Sequence, residues 1–294
     1  MNKLLALCIC FFIIAVAQAQ TKSIIILDEI TKKPLPFATI ECFGKKWGSY
    51  ADTAGKIKIE KDLLANDTMV ISFVGYDSKT YDYSNLPQQV FLISKKLPDV
   101  VISTCNKVEK KIAGLKKNGA GTGFGFGSKP EGKTWGSYIS NAEGKSGYIQ
   151  SLFYIAKRGW DKDSKLAPTR LRIFEYDTIK KLPGIELTPD EIIFTPGHFG
   201  KNTMDMSMYK MKMPVNGIVV CFEMFDSGPQ YYYKWSATFE DGKKHTKTSY
   251  GYTIGGLRAE NAKCFSYALG FGFYKFEAFD KSAPNFRVAV NYCK

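Results

Sequence analysis

The sequence predicts an all-β protein made of two β-sandwiches. Short runs alternate polar and apolar residues with period two, turn residues such as Gly, Pro, Asn and Asp separate the runs, and no long helical periodicity interrupts them. At roughly 150 residues per domain, 294 residues suggest two domains. The hydrophobic fraction of 45% is sufficient for packed cores, which excludes a disordered or collagen-like chain.

The first residues carry the pattern of an export signal. Lys3 supplies a positive end, residues 4–17 form an apolar run, and Ala17-Gln18-Ala19 provides the small residues of a cleavage site. A membrane-spanning helix needs about 20 apolar residues, more than this run contains. We therefore expect residues 1–19 to be a cleaved signal peptide. The mature protein is then exported to the periplasm, the outer-membrane surface or the medium, with no transmembrane span.

Residues 21–102 predict a sandwich of two antiparallel sheets. Turn-forming residues at 28–34 and 52–55 separate short runs that are apolar or alternate between polar and apolar residues, which is typical of this architecture. The predicted strands cover residues 23–27, 37–42, 56–60, 68–73 and 89–94.

Three segments of this region resemble the carboxypeptidase-regulatory-like domain. Residues 33–40 resemble its Pro-Leu-Pro-Phe opening, residues 51–57 its Thr-Asp-x-x-Gly-x-Phe turn, and residues 71–76 its Ser-Phe-x-Gly-Tyr strand end. The resemblance covers about residues 21–102. It implies a transthyretin-like sandwich of seven strands, common in exported proteins of Bacteroidetes-type bacteria, and a non-catalytic module despite the family name.

Residues 103–134 predict a basic, glycine-rich linker. Its lysines admit one short helix, and the alternation of Gly and Phe in residues 119–127 is typical of a linker that enters an edge strand. A phosphate-binding loop is excluded, because Phe124 and Phe126 stand where the Gly-x-Gly-x-x-Gly pattern requires its last glycine.

Residues 135–294 predict a larger, jelly-roll-like sandwich. In the run 169–175, Leu171 and Ile173 fall on one face and the arginines on the other, while residues 217–223 are apolar enough to be buried on both faces. The other predicted strands cover residues 147–155, 231–237, 248–252, 265–276 and 286–292. Residues 137–225 also resemble, more weakly, a β-domain that often follows the regulatory-like module, and this resemblance implies no activity.

The positive charge is concentrated in the second half of the chain. Residues 1–103 carry 12 Lys/Arg against 10 Asp/Glu, and residues 104–294 carry 29 against 18. Such a surface suits anionic glycans, lipids or nucleic acid. The lysines are scattered rather than aligned, so we favour solubility as their role and expect no nucleic-acid partner.

Few residues of catalytic type are present. Two histidines, His198 and His245, do not supply the ligands of a zinc peptidase. No Gly-x-Ser-x-Gly elbow occurs. Glu175 and Glu223 are the candidate carboxylate pair for glycoside hydrolysis, but the sequence does not give their separation, and carboxylates on strand faces are usually only solvated. We therefore expect no enzymatic activity, metal or cofactor.

The cysteines argue against redox chemistry because none has C-x-x-C spacing. Five follow the leader, so at least one stays unpaired or bonds another molecule. They are Cys42, Cys105, Cys221, Cys264 and Cys293, and a bond between Cys264 and Cys293 is one open pairing.

Aromatic residues near the C-terminus are the strongest candidate for function. Exposed rings stack on the apolar faces of sugars, and the same rings anchor protein interfaces. The candidate ligand residues are Tyr232, Trp235, Tyr250 and Tyr252. The sequence thus favours a non-enzymatic binding or interaction module of the cell envelope, with a protein or glycan partner. A carbohydrate-binding protein that uses these exposed rings is the alternative.

Overall fold

A computed structural model describes residues 22–59, 62–95, 108–115, 121–130, 132–238, 242–277 and 281–293. Within these ranges the protein is all-β, as predicted, and its helices are three-residue 3-10 turns. None of the helices in these ranges has the length and hydrophobicity needed to cross a membrane. The predicted signal peptide lies outside the described residues.

The N-terminal unit, residues 22–95, contains seven strands in two sheets. They are β1 (Lys22–Asp28), β2 (Thr39–Cys42), β3 (Trp47–Tyr50), β4 (Lys56–Ile59), β5 (Thr68–Ser72), β6 (Lys79–Asp82) and β7 (Gln89–Leu92). The sheets have the strand orders β4-β1-β7 and β3-β2-β5-β6. Strands β1 and β7 are parallel, so the prediction of two purely antiparallel sheets is wrong for this pair, and the other pairs are antiparallel. Inward residues of both sheets form one core, which includes Ile24, Ile26, Ile40, Ile57, Met69, Ile71 and Val90.

A buried carboxylate closes the turn after β1. Asp28 accepts hydrogen bonds from the backbone N–H groups of Ile30 and Thr31, and from the Tyr76 hydroxyl at 2.7 Å. The Thr31 N–H and then the Tyr76 hydroxyl lower the pKa of Asp28 from 3.8 to about 2. Burial and the bond to Asp28 raise the pKa of Tyr76 to about 12. The tyrosine that ends the third resembling segment therefore holds the turn that precedes the first.

We expect Tyr76→Phe to raise the pKa of Asp28 from about 2 toward 3.8, because one donor to the carboxylate is lost. A carboxylate with a lowered folded-state pKa stabilises the protein above the unfolded-state pKa, and this contribution disappears as the pH falls toward 2. A carbon-detected NMR titration of Asp28 measures the shift. Tyr81→Phe is the control, and an unchanged pKa in Tyr76→Phe would contradict the assignment.

The C-terminal unit, residues 108–293, contains seventeen strands within the described ranges. They are β8 (Val108–Gly114), β9 (Thr122–Phe124), β10 (Lys133–Ile139), β11 (Gly147–Lys157), β12 (Thr169–Asp177), β13 (Leu182–Glu186), β14 (Ile192–Phe194), β15 (Gly200–Asp205), β16 (Lys212–Met213), β17 (Ile218–Met224), β18 (Tyr232–Thr238), β19 (Lys244–Tyr250), β20 (Thr253–Arg258), β21 (Cys264–Ala268), β22 (Gly272–Phe276), β23 (Ser282–Pro284) and β24 (Arg287–Cys293).

These strands form two large sheets and a separate hairpin. The seven-stranded sheet has the order β13-β12-β17-β10-β21-β22, with β14 on β12. The eight-stranded sheet has the order β23-β20-β11-β24-β8, with β15 and β16 on β11 and β9 on β20. Strands β18 and β19 pair with each other. The main core includes Leu171, Ile173, Phe222, Ile254 and Val288, which confirms the predicted inward face of β12.

Two predictions about local structure are wrong. Residues 108–114, predicted as linker with room for one short helix, form strand β8, which pairs with β24. Residues 122–124 form strand β9 on β20, in keeping with a linker that enters an edge strand. Exposed lysines on β8 suit a sheet edge, where charge discourages further strand pairing. The single strand predicted for residues 265–276 is instead the hairpin β21–β22, whose turn contains Gly270 at φ +76°. The linker residues 103–107 and 116–120 lie outside the described ranges.

Candidate functional site

Two of the four predicted ligand residues lie in the core. Tyr250 and Tyr252 are each 1% exposed. The hydroxyl of Tyr252 lies 2.9 Å from Thr169 Oγ1, and that of Tyr250 accepts a hydrogen bond from the Ser227 N–H at 2.9 Å. A ligand on the surface of this conformation cannot stack on either ring.

Trp235 lies in a ring stack with Trp160, a residue that the sequence did not single out. Their ring centroids are 5.0 Å apart and the planes differ by 18°. Trp235 is half-buried on β18 and donates from Nε1 to Ser249 Oγ at 2.9 Å, while Trp160 is 71% exposed. The stack therefore has a fixed inner ring and presents the outer ring of Trp160 to solvent. We call these two residues the tryptophan platform.

The loop between β11 and β12 holds Trp160 over β18. The Trp160 N–H donates to the Tyr233 hydroxyl at 3.3 Å, and the Gly159 N–H donates to Ser164 Oγ at 3.0 Å. A Cβ atom on Gly159 would lie 1.8 Å from the Tyr233 hydroxyl oxygen, so only glycine permits this approach. The exposed polar residues Lys162 and Asp163 follow Trp160 in the same loop. The platform thus combines a flat apolar face with nearby hydrogen-bonding groups.

We expect Gly159→Ala to separate the two tryptophans, because the added methyl group overlaps the Tyr233 hydroxyl and displaces the loop. Stacked indoles give a circular-dichroism exciton couplet, which this variant should lose while the protein remains folded. Gly44→Ala is the control, since a Cβ there meets no atom within 4 Å. An unchanged couplet in Gly159→Ala would contradict the described stack.

Tyr232 belongs to a different surface from the platform. It lies on the opposite face of β18 from Tyr233 and Trp235 because successive side chains alternate. Its hydroxyl donates to Asp226 Oδ2 at 2.9 Å, and its ring meets Tyr250 edge to face at 4.9 Å. The four predicted residues do not form one binding surface, and the structure leaves Tyr232 and Trp235 as the partly exposed ones.

A cluster of charged and polar residues lies where the two units meet, and we call it the ionic network. The ionic network joins the N-terminal residues Glu41 and Tyr50 to strands β12, β17 and β21 of the C-terminal unit. Its other members are Arg170, Arg172, Glu186, Glu191, Glu223 and Tyr267. Since these are charges at a buried interface, their pairing determines whether the interface is stable.

Arg170 is the centre of the ionic network. Its side chain is 2% exposed, lies 3.3 Å from Glu223, pairs with Glu191, and donates to the Phe37 carbonyl oxygen of the N-terminal unit at 3.1 Å. Arg172 donates twice to Glu186, each time at 2.9 Å. Both arginines therefore have carboxylate partners inside the interface.

Burial and ion pairing act in opposite directions on the carboxylates of the network. Burial raises the pKa of Glu223, but attraction to Arg170 and Arg172 outweighs it, so the pKa is lowered. For Glu191, burial outweighs Arg170 and the pKa is raised. Burial is also the main reason why the pKa of Tyr50, which donates to Glu223, is raised. An ionised Glu223 therefore depends on its arginines.

The two carboxylates considered for glycoside hydrolysis do not form a pair. Glu223 lies opposite Arg170 in the β12–β17 ladder, whereas Glu175 lies opposite Ile218. The two positions are five residues apart along β12, which corresponds to about 17 Å at the rise of a β-strand. Glu223 is fully buried and bonded to two arginines, so the structure assigns it to the interface.

The structure gives the bonding state of four of the five cysteines that follow the leader. Cys293 is disulfide-bonded and Cys264 is a free, buried thiol, so these two do not pair. Cys42 and Cys221 are likewise free and buried, and Cys105 lies outside the described residues. Burial raises the pKa of Cys264 to about 12, which keeps this thiol protonated at neutral pH. Among the described residues, no three His, Cys, Asp or Glu side chains are grouped to hold a metal.

The comparisons with known proteins identify no family for this chain. No protein-family model matches the sequence, and no curated protein or solved structure matches it significantly. The function must therefore be inferred from the geometry of the platform and of the interface.

Proposed function

We propose that the chain is a non-catalytic, exported binding protein of the cell envelope and that its ligand is a carbohydrate held on the tryptophan platform. The exposed outer ring of Trp160, stacked at 5.0 Å on the fixed ring of Trp235, is the observation that carries this proposal. Stacking gives a flat apolar face, and sugar rings present matching apolar C–H faces while their hydroxyl groups bind polar neighbours.

The fold supports the same proposal. We propose that the N-terminal unit is a carboxypeptidase-regulatory-like, transthyretin-like sandwich and that the C-terminal unit is jelly-roll-like. Seven strands in facing sheets of three and four support the first assignment, and two large antiparallel sheets around one core support the second. Export to the envelope rests on the apolar leader at residues 1–19.

The test uses the protein expressed without residues 1–19 and a panel of neutral polysaccharides: starch, xylan, mannan, laminarin and chitin. We expect saturable binding to at least one of them. Trp160→Ala should weaken it about tenfold, the value of a lost aromatic contact. Tyr274→Ala removes another exposed ring, 44% exposed, and should change the affinity less than about twofold. Equal binding by wild type and Trp160→Ala, or no binding in the panel, would contradict the proposal.

A protein partner is the second candidate, and the hairpin favours it. Within the described ranges, β18 and β19 form a two-stranded sheet of their own, and such edge strands are typical sites of strand addition by a partner. If the panel gives no binding, cross-linking in intact envelopes with wild type and Trp160→Ala tests this candidate. A cross-linked partner absent from the variant supports it, and one retained at equal yield contradicts a role for the platform.

A further inference from the structure

A groove of about 940 Å³ lies on the outer face of the seven-stranded sheet, the face that points away from the main core. Arg170 and Tyr176 both lie on this face of β12 and are six residues apart, or about 20 Å along the strand. The N-terminal unit contacts the Arg170 end, and the groove lies at the Tyr176 end. Its volume is typical of a small-molecule site. We call it the lysine groove after Lys263, one of the residues that line it.

The ammonium group of Lys263 is held between two tyrosine rings. Its Nζ atom lies 4.5 Å from the ring centroid of Tyr138 and 4.3 Å from that of Tyr176, and it donates to the Tyr176 hydroxyl at 3.0 Å. The two ring centroids are 4.4 Å apart, and the Tyr138 hydroxyl donates to the Asn216 carbonyl oxygen at 3.1 Å. The Tyr138 N–H also donates to the Lys263 carbonyl oxygen at 3.1 Å. An ammonium fixed in this way loses little conformational freedom when a ligand binds.

The two rings position the charge of Lys263 without neutralising it. Burial raises the pKa of Tyr138, so this hydroxyl stays protonated at neutral pH. Within the described ranges Lys263 belongs to no ion pair, and the carboxylate of Glu260, which lines the groove, is not bonded to it. An ammonium group has more than one N–H donor, and Tyr176 accepts one of them. The donors that remain can bind an anionic ligand.

The floor of the lysine groove is otherwise apolar. Leu115, Ala259 and Ala262 are half-buried and lie in the lining with the two tyrosine rings. The other charged and polar residues of the lining are exposed and form a rim, Glu260 and Lys275 among them. One ammonium within an apolar floor matches a ligand that carries one carboxylate on an apolar body. A phosphate group, with its higher charge, more often takes several donors or an arginine fork.

We propose that the lysine groove binds a small organic acid, whose carboxylate accepts hydrogen bonds from Lys263 while its apolar body packs on Leu115, Ala259 and Ala262. Burial of the body removes apolar surface from water, and the carboxylate meets an ammonium that is already in place. The site is built from other residues than the tryptophan platform, and its ligand is of a different chemical class.

The test titrates the protein without residues 1–19 with benzoate, phenylacetate and cinnamate by isothermal titration calorimetry. We expect at least one acid to bind with a dissociation constant of about 1 mM or below, as suits so small a ligand. The matching amide lacks the charge and acetate lacks the apolar body, so each should bind at least about tenfold more weakly. The proposal would be overturned if none of the acids binds or if the amide or acetate binds equally well. Displacement of the acid by an equal concentration of inorganic phosphate would also overturn it.

Lys263→Met tests the ammonium group directly, because methionine keeps a flexible apolar chain that can pack on the tyrosine rings. Affinity for the acid should fall about tenfold or more, the value of one hydrogen bond to a charged group. Lys145→Met removes an exposed lysine outside the groove and should change the affinity less than about twofold. Equal affinities of these two variants for the acid would overturn the site.

Glu260→Gln should give a change of opposite sign and leaves the floor of the groove intact. The carboxylate on the rim repels the carboxylate of the ligand, so its removal should strengthen binding of the acid about twofold at low salt. Asp77→Asn makes the same charge change at an exposed position of the N-terminal unit and should not strengthen binding. Equal strengthening in both variants would assign the effect to net charge and overturn the site. Trp160→Ala should bind the acid like wild type, and a loss of binding there would overturn the site in favour of the platform.

Discussion

Arg170→Met is expected to destabilise the protein by about 3–5 kcal/mol, the usual cost of removing one partner from a buried ion pair. Met resembles Arg in length but leaves Glu223 and Glu191 without their main cation and the Phe37 carbonyl oxygen without a donor. We expect the melting temperature to fall by roughly 10 °C. Differential scanning calorimetry measures this change.

The loss of folding stability caused by Arg170→Met should also depend on pH. In the wild type the lowered pKa of Glu223 stabilises the folded state at pH values above the unfolded-state pKa, and this contribution disappears on acidification. Without Arg170, burial dominates and the folded-state pKa values of Glu223 and Glu191 rise. A raised carboxylate pKa destabilises the folded state at neutral pH and ceases to do so at low pH. The difference between variant and wild type should therefore shrink from pH 7 to pH 4.

The matched control is Lys275→Met, which breaks an exposed pair with Glu277 at 3.0 Å. Exposed pairs contribute about 0–1 kcal/mol, so this variant should melt close to the wild type. In Arg170→Met/Glu223→Leu, both main charges are replaced by apolar groups, and we expect part of the loss to be recovered. Equal melting temperatures for Arg170→Met and Lys275→Met would show that the network does not stabilise the interface.

Gly270→Ala is expected to destabilise the protein by about 2–4 kcal/mol, from backbone strain together with overpacking. Gly270 has φ +76°, which disfavours any side chain, and a Cβ there would lie 2.2 Å from the Trp47 backbone nitrogen. Its N–H also donates to Glu41 at 2.9 Å. The added methyl group must therefore push the β21–β22 turn away from β3 of the N-terminal unit. Chemical denaturation measures the loss.

The control variant Gly144→Ala measures the cost of backbone strain in the absence of steric overlap. Gly144 has φ +61°, but a Cβ there meets no atom within 4 Å. This variant should lose about 1 kcal/mol from strain alone. If Gly270→Ala loses no more than Gly144→Ala, the close contact between the units does not exist in solution.

Local patterns were sufficient to predict much of the fold. Period-two alternation placed Leu171 and Ile173 on the inward face of β12, and the apolar run of β17 is buried along its whole length. The β8 strand was missed because its lysines break the apolar pattern, and pairing with β24 rather than its own hydrophobicity makes it a strand. Long-range pairing of this kind is not encoded in any short window of sequence.

The candidate site was harder to predict for the same reason. Trp160 and Trp235 lie 75 positions apart in the chain. They meet because the Tyr233 hydroxyl accepts a hydrogen bond from the backbone of the loop that carries Trp160. The available sequence signal for Trp160 was its place in a loop between two predicted strands, where it follows Gly159 and precedes Asp-Lys-Asp at residues 161–163. Likewise, the alternation of Arg170 and Arg172 showed a polar face on β12, but sequence alone could not show that Glu41 and Tyr50 of the other unit complete it.

Chemical footprinting of the tryptophans tests the binding proposal most directly. The four indoles are Trp47, Trp135, Trp160 and Trp235, of which Trp160 is exposed and the others are half-buried. Mild oxidation followed by mass spectrometry is compared with and without the neutral polysaccharide that binds best in the panel. We expect this ligand to protect Trp160 and to leave Trp135 unchanged. Oxidation of Trp160 at the same rate with saturating ligand would contradict carbohydrate binding on the platform.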